Sequence, residues 1–454
     1  MKKGKINGLC AFLYAVFSLF LFISKIHAEP SIIWDKTYGG TGSEIGFAVL
    51  QTADGGFVFA GRSSSFETGA DAYLVKTDSA GNQQWCKTFG GFNFDTALSI
   101  ESCTDGGFIL AGRTESFNSG YYELYVVKTD ANGNFQWHKN FGAANYENIC
   151  GEEIKQTSDG GYIITGLITS QTFPSAADLC LMKINSSGSL VLFKKKFGGP
   201  DFDWGTSVQP TTDGGFIAAG STNSYGAGNY DIFLVKTDSA GNKLWQRTFG
   251  ASGYDYGESV LQTDDGGFVI AGSSNSFGAG DSDIYIVKTD SNGNFVWHKF
   301  YGAINSSEYC ASIQRTTDGG YVAIGTKDSC LYILKLNSAG DKLWDKIIAG
   351  SSYSYGYCVQ QTGDGGFVIA GETITDTDDY QARLVRLGLD YLQGDINYDG
   401  RIDFSDFSLF SHSWMSQYGQ SQFNQLCDLK MPLDNTIDYK DLEILLSNWL
   451  AENR

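Results

Sequence analysis

Oxygen-bearing side chains recur at alternate positions in one stretch near the C-terminus, "GDINYDGRIDFSDF", which runs from Gly394 to Phe407. A Gly stands in its middle, where a loop that wraps around an ion needs a sharp turn. Ca²⁺ takes roughly six to eight oxygen ligands, and this spacing brings such oxygens around one centre. The predicted calcium ligands are Asp395, Asn397, Asp399, the carbonyl oxygen of Arg401, Asp403 and Asp406.

A second segment, "CDLKMPLDNTIDYKDLEILLSNWL", repeats the later part of this pattern. Lys430 and Pro432 stand where the first ligands are needed, so the second metal site is predicted to be weak or empty. The candidate ligands that remain are Asp434, Asp438 and Asp441. Apolar residues at helical spacing follow both loops, which predicts two loop-plus-helix halves.

Two such halves with Asp at the twelfth loop position resemble a type I dockerin domain, and the resemblance covers Gly394 to the end of the chain. The resemblance implies a small α-helical domain of paired EF-hand-like units, Ca²⁺-dependent folding, and docking to a cohesin-like protein or cell-surface assembly. The docking contacts that it implies are Phe404, Ser405, Tyr439 and Lys440. The alternative is a calcium-clipped terminal domain that only stabilises the chain.

The elements before this module are predicted from an internal repeat. The turn signature "DGGF" or "DGGY" occurs seven times at intervals of 46 to 54 residues, which is the period of a β-propeller blade. Each repeat reads as four short strands with turns between them, rich in β-branched and aromatic residues that suit two-sided burial. The signature begins at Asp54, Asp105, Asp159, Asp213, Asp265, Asp318 and Asp364.

The two ends of the array predict how the ring closes. The stretch "IIWDKTYGG" around Trp34 is an outer strand with no blade before it, and the last repeat lacks its own Trp strand. Pairing the N-terminal strand with the seventh blade would leave no exposed sheet edge. The predicted fold is therefore all-β: a seven-bladed β-propeller closed by the N-terminal strand, followed by the dockerin-like domain. The repeats also resemble those of secreted bacterial seven-bladed propellers, from about Ile32 to Tyr391.

Two sets of loops differ between the repeats. If the four strands of a blade are lettered A to D outward, the A–B and C–D turns are short and uniform, whereas the D–A and B–C loops are longer and variable. Aromatic rings interleaved with Asp and Asn suit sugars or peptides, although a solvated structural rim is the alternative. The predicted ligand-face residues are Asp95, Tyr146, Asp203, Trp204, Tyr254, Asp255, Tyr256, Tyr309 and Tyr355.

Other acidic residues recur at the start of strand C, and recurrence favours a structural role over a single active site. They are Asp71, Glu123, Asp178, Asp231 and Asp283. The sequence shows no GxSxG elbow and no nucleophile paired with a base. A carboxylate pair of the glycosidase type cannot be read from the sequence, because it depends on spacing in three dimensions.

The predicted cellular compartment and the net charge of the chain limit the classes of partner that it can bind. In residues 1–28, three Lys precede an apolar run and a small residue stands at the cleavage point, which predicts a secretory signal peptide and no membrane span after cleavage. Eight Cys would remain, without a CxxC pair, and either disulfides or free thiols fit. The net charge of −19 argues against nucleic acid and anionic membranes as partners.

The sequence thus predicts a signal peptide (1–28), a propeller (29–391) and a dockerin-like Ca²⁺-binding domain (392–454). The leading hypothesis is a secreted, non-catalytic propeller that binds a glycan or peptide and is tethered to a cohesin-type partner. The first alternative is an extracellular carbohydrate-active enzyme, a glycoside hydrolase or a polysaccharide lyase, with an appended dockerin. The second alternative is a purely structural surface protein.

Overall fold

The structure is a computed structural model that describes residues 29–66, 69–117, 122–142, 149–169, 176–350, 353–374 and 379–388, together with 440, 441, 444 and 445. Twenty-eight strands form seven four-stranded antiparallel sheets in these residues. The sheets are the seven predicted blades, numbered 1 to 7 from the one that begins at Glu44. The seven-bladed all-β propeller is therefore confirmed.

The first strand of each blade, strand A, contacts the A strands of the two neighbouring blades, so the seven A strands surround a central channel. The A strands are β2 (Glu44–Gln51), β6 (Asp95–Ser102), β10 (Ile149–Gln156), β14 (Asp203–Pro210), β18 (Asp255–Gln262), β22 (Glu308–Arg315) and β26 (Ser354–Gln361). The B strands are β3 (Phe57–Ser63), β7 (Phe108–Thr114), β11 (Tyr162–Thr169), β15 (Phe216–Thr222), β19 (Phe268–Ser274), β23 (Tyr321–Lys327) and β27 (Phe367–Ile374).

Strands C and D complete each sheet outward. The C strands are β4 (Asp71–Thr77), β8 (Glu123–Thr129), β12 (Ala177–Ile184), β16 (Asp231–Thr237), β20 (Asp283–Thr289), β24 (Cys330–Leu336) and β28 (Tyr380–Leu387). The D strands are β5 (Gln83–Phe89), β9 (Phe135–Phe141), β13 (Val191–Phe197), β17 (Lys243–Phe249), β21 (Phe295–Tyr301), β25 (Lys342–Ile348) and, in blade 7, β1 (Ile32–Tyr38).

The ring closes through β1, as the sequence predicts. β1 pairs antiparallel with β28 as the outermost strand of blade 7, and Tyr38 lies opposite Ala382. Two guanidinium nitrogens of Arg383 donate to the Asp35 carboxylate, at 2.9 and 2.6 Å, and strengthen this seam. Blade 7 therefore combines both ends of the repeat array.

Adjacent blades share the hydrophobic core. Seven clusters of buried apolar side chains occur, and each draws its members from two neighbouring blades. In blade 5, every residue of strands B and C is buried, because sheets lie on both sides of it. The outer Trp belongs to the same packing: Trp245 of blade 4 stacks against Gly293 in the C–D turn of blade 5.

The DGG turn has a structural role. The Asp54 carboxylate accepts hydrogen bonds from the Gly56 amide at 3.0 Å and from the Lys76 ammonium at 2.8 Å. Gly55 follows Asp54 with a φ of 77°, which favours glycine. All seven blades pair the turn Asp with a basic residue of strand C, and blade 7 uses Arg386 in place of Lys.

Each A strand contains a β-bulge at the same place. In blade 5 the pairing register shifts between Gly257 and Ser259, so Glu258 is the extra residue. Since a bulge redirects a side chain, the scaffold presents one bulge residue per blade toward the channel. The seven bulge residues are all partly exposed; they are Phe47, Leu98, Glu152, Thr206, Glu258, Ala311 and Tyr357.

The predicted C-terminal module lies almost wholly outside the described residues, as does the predicted signal peptide. Four of its residues are described, and Lys440, Asp441, Ile444 and Leu445 are all helical. Asp441 and Leu445 are buried. The helix that the sequence predicts after the second loop is consistent with these four residues.

Candidate ligand-binding mouth of the central channel

The D–A and B–C loops lie on one face of the propeller, here called the loop face. Large apolar side chains are exposed there: Phe92 is 87% exposed, Ile304 75% and Tyr309 51%. Other exposed apolar residues, such as Phe295, lie on the outer D strands and are not gathered around the channel. The loop face is therefore the part of the described surface where apolar contact area surrounds the channel opening.

The three predicted ligand-face aspartates are buried beneath the loops. Asp95, Asp203 and Asp255 are fully buried at the first position of their A strands. Asp255 Oδ2 accepts a hydrogen bond from the Ala251 amide at 2.8 Å and one from the Ser276 hydroxyl at 2.7 Å. Asp95 and Asp203 make the same pair of bonds in their own blades. They hold the D–A loop to the B–C loop and do not lie on the outer surface.

A glycine after strand D makes room for two carboxylates. A Cβ on Gly250 would lie 2.1 Å from Asp231 Oδ1 and 2.6 Å from Asp255 Oδ2. Asp231 is one of the strand-C acids that the sequence assigns to structure, and burial followed by the charge of Asp255 raises its pKa. Gly90, Gly198 and Gly302 are enclosed by acid pairs in the same way. Carboxylate pairs therefore recur around the ring as part of the scaffold.

The aromatic residues do come together. Trp204 and Tyr256, on neighbouring A strands, have ring centroids 6.1 Å apart, and Tyr254 lies 6.1 Å from Tyr256. Tyr230 lies among them, 4.9 Å from Trp204 and 5.7 Å from Tyr256. A parallel bridge between Tyr230 and Tyr254 aligns two of these side chains across the blade 4–blade 5 boundary. These four rings are called the aromatic cluster below.

Two further predicted aromatics lie on the same side of the ring. Tyr309 and Tyr355 occupy the second positions of β22 and β26, which is the position that Trp204 and Tyr256 occupy in β14 and β18. Tyr309 is exposed and Tyr355 is partly exposed. The aromatic arc thus extends over blades 4 to 7. Tyr146, the remaining predicted residue, lies outside the described residues.

Below the mouth, the channel wall carries charged groups that compensate each other on the side of blades 2 and 3. Lys155 forms ion pairs of 3.2 Å with both Glu101 and Glu153. Arg113 forms an ion pair with the bulge residue Glu152. In blade 7, the Tyr357 hydroxyl donates to the Glu372 carboxylate at 2.8 Å. These acidic residues therefore each have a hydrogen-bonding or cationic partner.

Glu258 differs from them. It is the bulge residue of β18, two positions after Tyr256, and its carboxylate makes neither an ion pair nor a hydrogen bond within the described part of the chain. Burial, followed by the nearby charge of Glu152, raises the pKa of Glu258 to about 8. A partly exposed residue whose carboxyl group has no partner among the described residues thus lies on the same strand as Tyr256 of the aromatic cluster.

The calcium and cysteine predictions have different outcomes. All six ligands of the first predicted loop, the second-loop residues Asp434 and Asp438, and the docking residues Phe404, Ser405 and Tyr439 lie outside the described residues. Within the described ranges, no group of three or more His, Cys, Asp or Glu is arranged to hold a metal ion. Cys86, Cys103, Cys310, Cys330 and Cys358 carry free thiols, so a Cys310–Cys330 disulfide is not formed. No helix among the described residues is long and apolar enough to cross a membrane.

Sequence reasoning missed Tyr230, Glu152 and Glu258. A signal for them exists, because the repeats carry different residues at these positions. Tyr230 immediately precedes the recurring Asp231, where blade 1 has Ala70 and blade 5 has Ser282. A position whose residue varies among the repeats is not fixed by the common fold and is therefore a candidate for function.

The fold and this opening define the class of protein: a seven-bladed β-propeller with an asymmetric, aromatic channel mouth.

No protein-family profile matches the chain, and no curated protein sequence matches it. Among solved structures, a protein of unknown function from Dyadobacter fermentans aligns at 11% identity with a TM-score of 0.48, over 79% of this chain and 99% of that one. The Pan2 WD40 domain of Neurospora crassa aligns at 10% identity with a TM-score of 0.48, over 79% and 97%. YCF48 bound to a D1 peptide aligns at 11% identity with a TM-score of 0.47, over 81% and 100%.

Proposed function

We propose that this protein is a non-catalytic binding propeller that takes a peptide segment of a partner protein at the mouth of its channel. The aromatic cluster carries the proposal, because Trp204, Tyr230, Tyr254 and Tyr256 gather at one blade boundary beside the channel. Large aromatic rings supply contact area at a low cost in conformational entropy, and they dominate the binding energy of many interfaces.

Binding of the propeller to arrays of synthetic peptides and of glycans tests this function. We expect the full chain to retain peptides, and we expect Trp204→Ala to weaken that binding tenfold or more, because a central aromatic contact is lost. Phe295→Ala is the matched control, since Phe295 is an exposed aromatic residue on an outer strand. Retention of glycans alone would replace the peptide proposal with a carbohydrate-binding one.

The tether is the second part of the proposal. The protein is secreted, and its C-terminal segment docks in the presence of Ca²⁺ to a cohesin-like protein or cell-surface assembly. The loop spacing from Asp395 to Asp406 and the resemblance to type I dockerins support this role. Lys440, a residue of the implied docking surface, is helical and only partly exposed.

Calorimetric titration of the full chain with CaCl₂ tests the tether. We expect one tight site that Asp399→Ala abolishes, because the ligand at the fifth loop position is removed. Asp281→Ala, which removes an exposed carboxylate of a propeller loop, should leave that site unchanged. Absence of any calcium-dependent heat in the wild-type chain would refute a calcium-dependent docking module.

One observation favours a carbohydrate-active enzyme as a second candidate function. Burial, followed by the nearby charge of Glu152, raises the pKa of Glu258 to about 8, and glycosidases use two carboxyl groups whose pKa values differ. Glu258 would be the general acid in such a reaction. Polysaccharide hydrolysis that disappears in Glu258→Gln would establish this function, and absence of hydrolysis across a substrate panel would remove it.

A further inference from the structure

We propose that Glu258 is the counter-charge for a basic side chain of the ligand, so that the peptide taken at the mouth presents a Lys or Arg through the aromatic cluster into the channel. The inference rests on the proposed function and adds the chemical class of the ligand. It follows from how charge is distributed around the channel.

Charge complementarity within the channel supports this assignment. Glu101 and Glu153 share Lys155, and Glu152 has Arg113, so these three carboxylates are already compensated. Glu258 has no such partner in the described part of the protein. Glu258 is only partly buried as a residue, and it occupies the bulge position of β18. A single positive charge delivered here would complete the pattern found elsewhere on the wall.

The aromatic cluster offers a path to that carboxyl group. Tyr256 lies two residues before Glu258 on β18, and the charge of Glu258 acts on the Tyr256 hydroxyl. A Lys or Arg side chain can lay its methylene stem and its charge against aromatic faces, which attract cations. The four rings of the aromatic cluster provide such faces at the blade 4–blade 5 boundary. The stem would therefore contact the rings while the charged end reaches Glu258.

The protein as a whole also favours a basic partner. The chain carries 51 acidic and 32 basic residues, which gives a net charge of −19. A field of this sign attracts cationic ligands and speeds their association at low ionic strength. Higher salt should therefore slow association more than it speeds dissociation.

The proposed contact with Glu258 should couple peptide binding to the release of a proton. The groups that face Glu258 are Glu152 with its partner Arg113, Tyr256 on the same strand, and the Cys310 thiol of blade 6. With a pKa of about 8, Glu258 is mostly protonated at pH 7 in the free protein. A bound cation favours the ionised form and lowers that pKa, so binding must release a proton. Affinity should therefore rise from pH 6 to pH 8, by at most about tenfold per pH unit.

The test uses the full chain and a synthetic peptide library in which every Lys- or Arg-containing peptide has a norleucine counterpart. Retained peptides should contain a basic residue and lose at least tenfold in affinity when it becomes norleucine. Glu258→Gln should cause a similar loss and abolish the pH dependence. Calorimetry in two buffers of different ionisation enthalpy should detect proton release by the wild type and none by the variant.

Two controls keep the outcome clear. Glu101→Gln removes the same charge from the channel wall but leaves Lys155 paired with Glu153, so peptide affinity should change less than threefold. Glu258→Thr carries the residue that blade 4 has at this position, Thr206, and is a second variant that the scaffold accommodates. If peptides without basic residues bind equally well, or if both Glu258 variants bind with wild-type affinity, this inference is wrong while the proposed function stands. If no peptide binds at any pH, both are refuted.

Discussion

At the scale of single residues, the repeat motifs are explained by contacts between blades more than by contacts with a ligand. The glycine that ends each "FG" or "YG" dipeptide is the clearest case. Gly250 is enclosed by the carboxylates of Asp231 and Asp255, which come from different blades. The glycine is needed there because of close approach and not because of a positive φ, so its role is invisible in the local sequence.

Gly250→Ala should destabilise the propeller by about 1–3 kcal/mol, because the new Cβ would force the two buried carboxylates apart. Urea denaturation of the full chain measures the free energy of unfolding. Gly363→Ala is the matched control, since the nearest atom to its Cβ would be Gln51 Oε1 at 3.7 Å. Equal stability of the two variants would contradict the close approach described here.

At the scale of elements, one strand decides whether the ring is closed. β1 covers the outer edge of β28, and without it blade 7 would expose an unpaired strand. Unpaired edges invite pairing with other chains, and closed propellers avoid this liability. The Arg383–Asp35 contact and the β1–β28 ladder therefore act on solubility as well as on stability.

A chain that begins at Gly39 should unfold at a lower temperature than one that begins at Glu29 and should form oligomers, because it lacks β1. Calorimetry and size-exclusion chromatography measure the two effects. The chain from Glu29 is the control, and it retains the whole closing strand. A monomeric shorter chain with an unchanged unfolding temperature would show that β1 does not close the ring.

At the scale of the whole molecule, seven turn-to-strand ion pairs make stability depend on acid. The hydrogen bond from Lys76 lowers the pKa of Asp54 to about 2, and Lys183 does the same for Asp159. A carboxylate whose pKa is lowered by folding stabilises the folded state above its ordinary value of 3.8. That stabilisation is lost as the pH falls from about 4 toward 2.

The free energy of unfolding should therefore fall steadily between pH 4.5 and pH 2, as denaturant titrations at several pH values would measure. Asp54→Asn should make this dependence shallower and lower the stability at pH 7 by no more than about 1 kcal/mol, because the carboxylate is 55% exposed. Asp281→Asn should change neither quantity. A wild-type stability that does not vary over this range would rule out the pairs as its source.

Much of this architecture could be predicted from the sequence. The period of the DGG turns and the missing last Trp strand define seven blades and their closure, because each blade satisfies the same local rules. The roles of Asp95, Asp203 and Asp255 could not be read in this way. Their position in a variable loop suggested a ligand, whereas burial and loop hydrogen bonds depend on how two loops fold over them.

The site was predicted only in part, for a related reason. Trp204, Tyr254 and Tyr256 stand out as aromatics in loop regions, and the structure brings them together. Tyr230 and Glu258 join them through a parallel bridge and a bulge, which are properties of strand pairing. Spacing along the chain does not reveal such neighbours, although the variation among repeats at those positions would have pointed to them.

The seam between β1 and β28 also has a mechanical consequence. The Gly388 amide donates to the Ser31 carbonyl at 2.8 Å, so the propeller's first and last residues meet where a C–D turn would otherwise stand. A pulling force on the chain after Gly388 enters at the end of β28, an interior strand with ladders on both sides. Such a load is shared between two ladders, whereas a force on an edge strand would peel one ladder bond by bond. Closure by the N-terminal strand thus gives the C-terminal side of the ring an anchorage suited to tension.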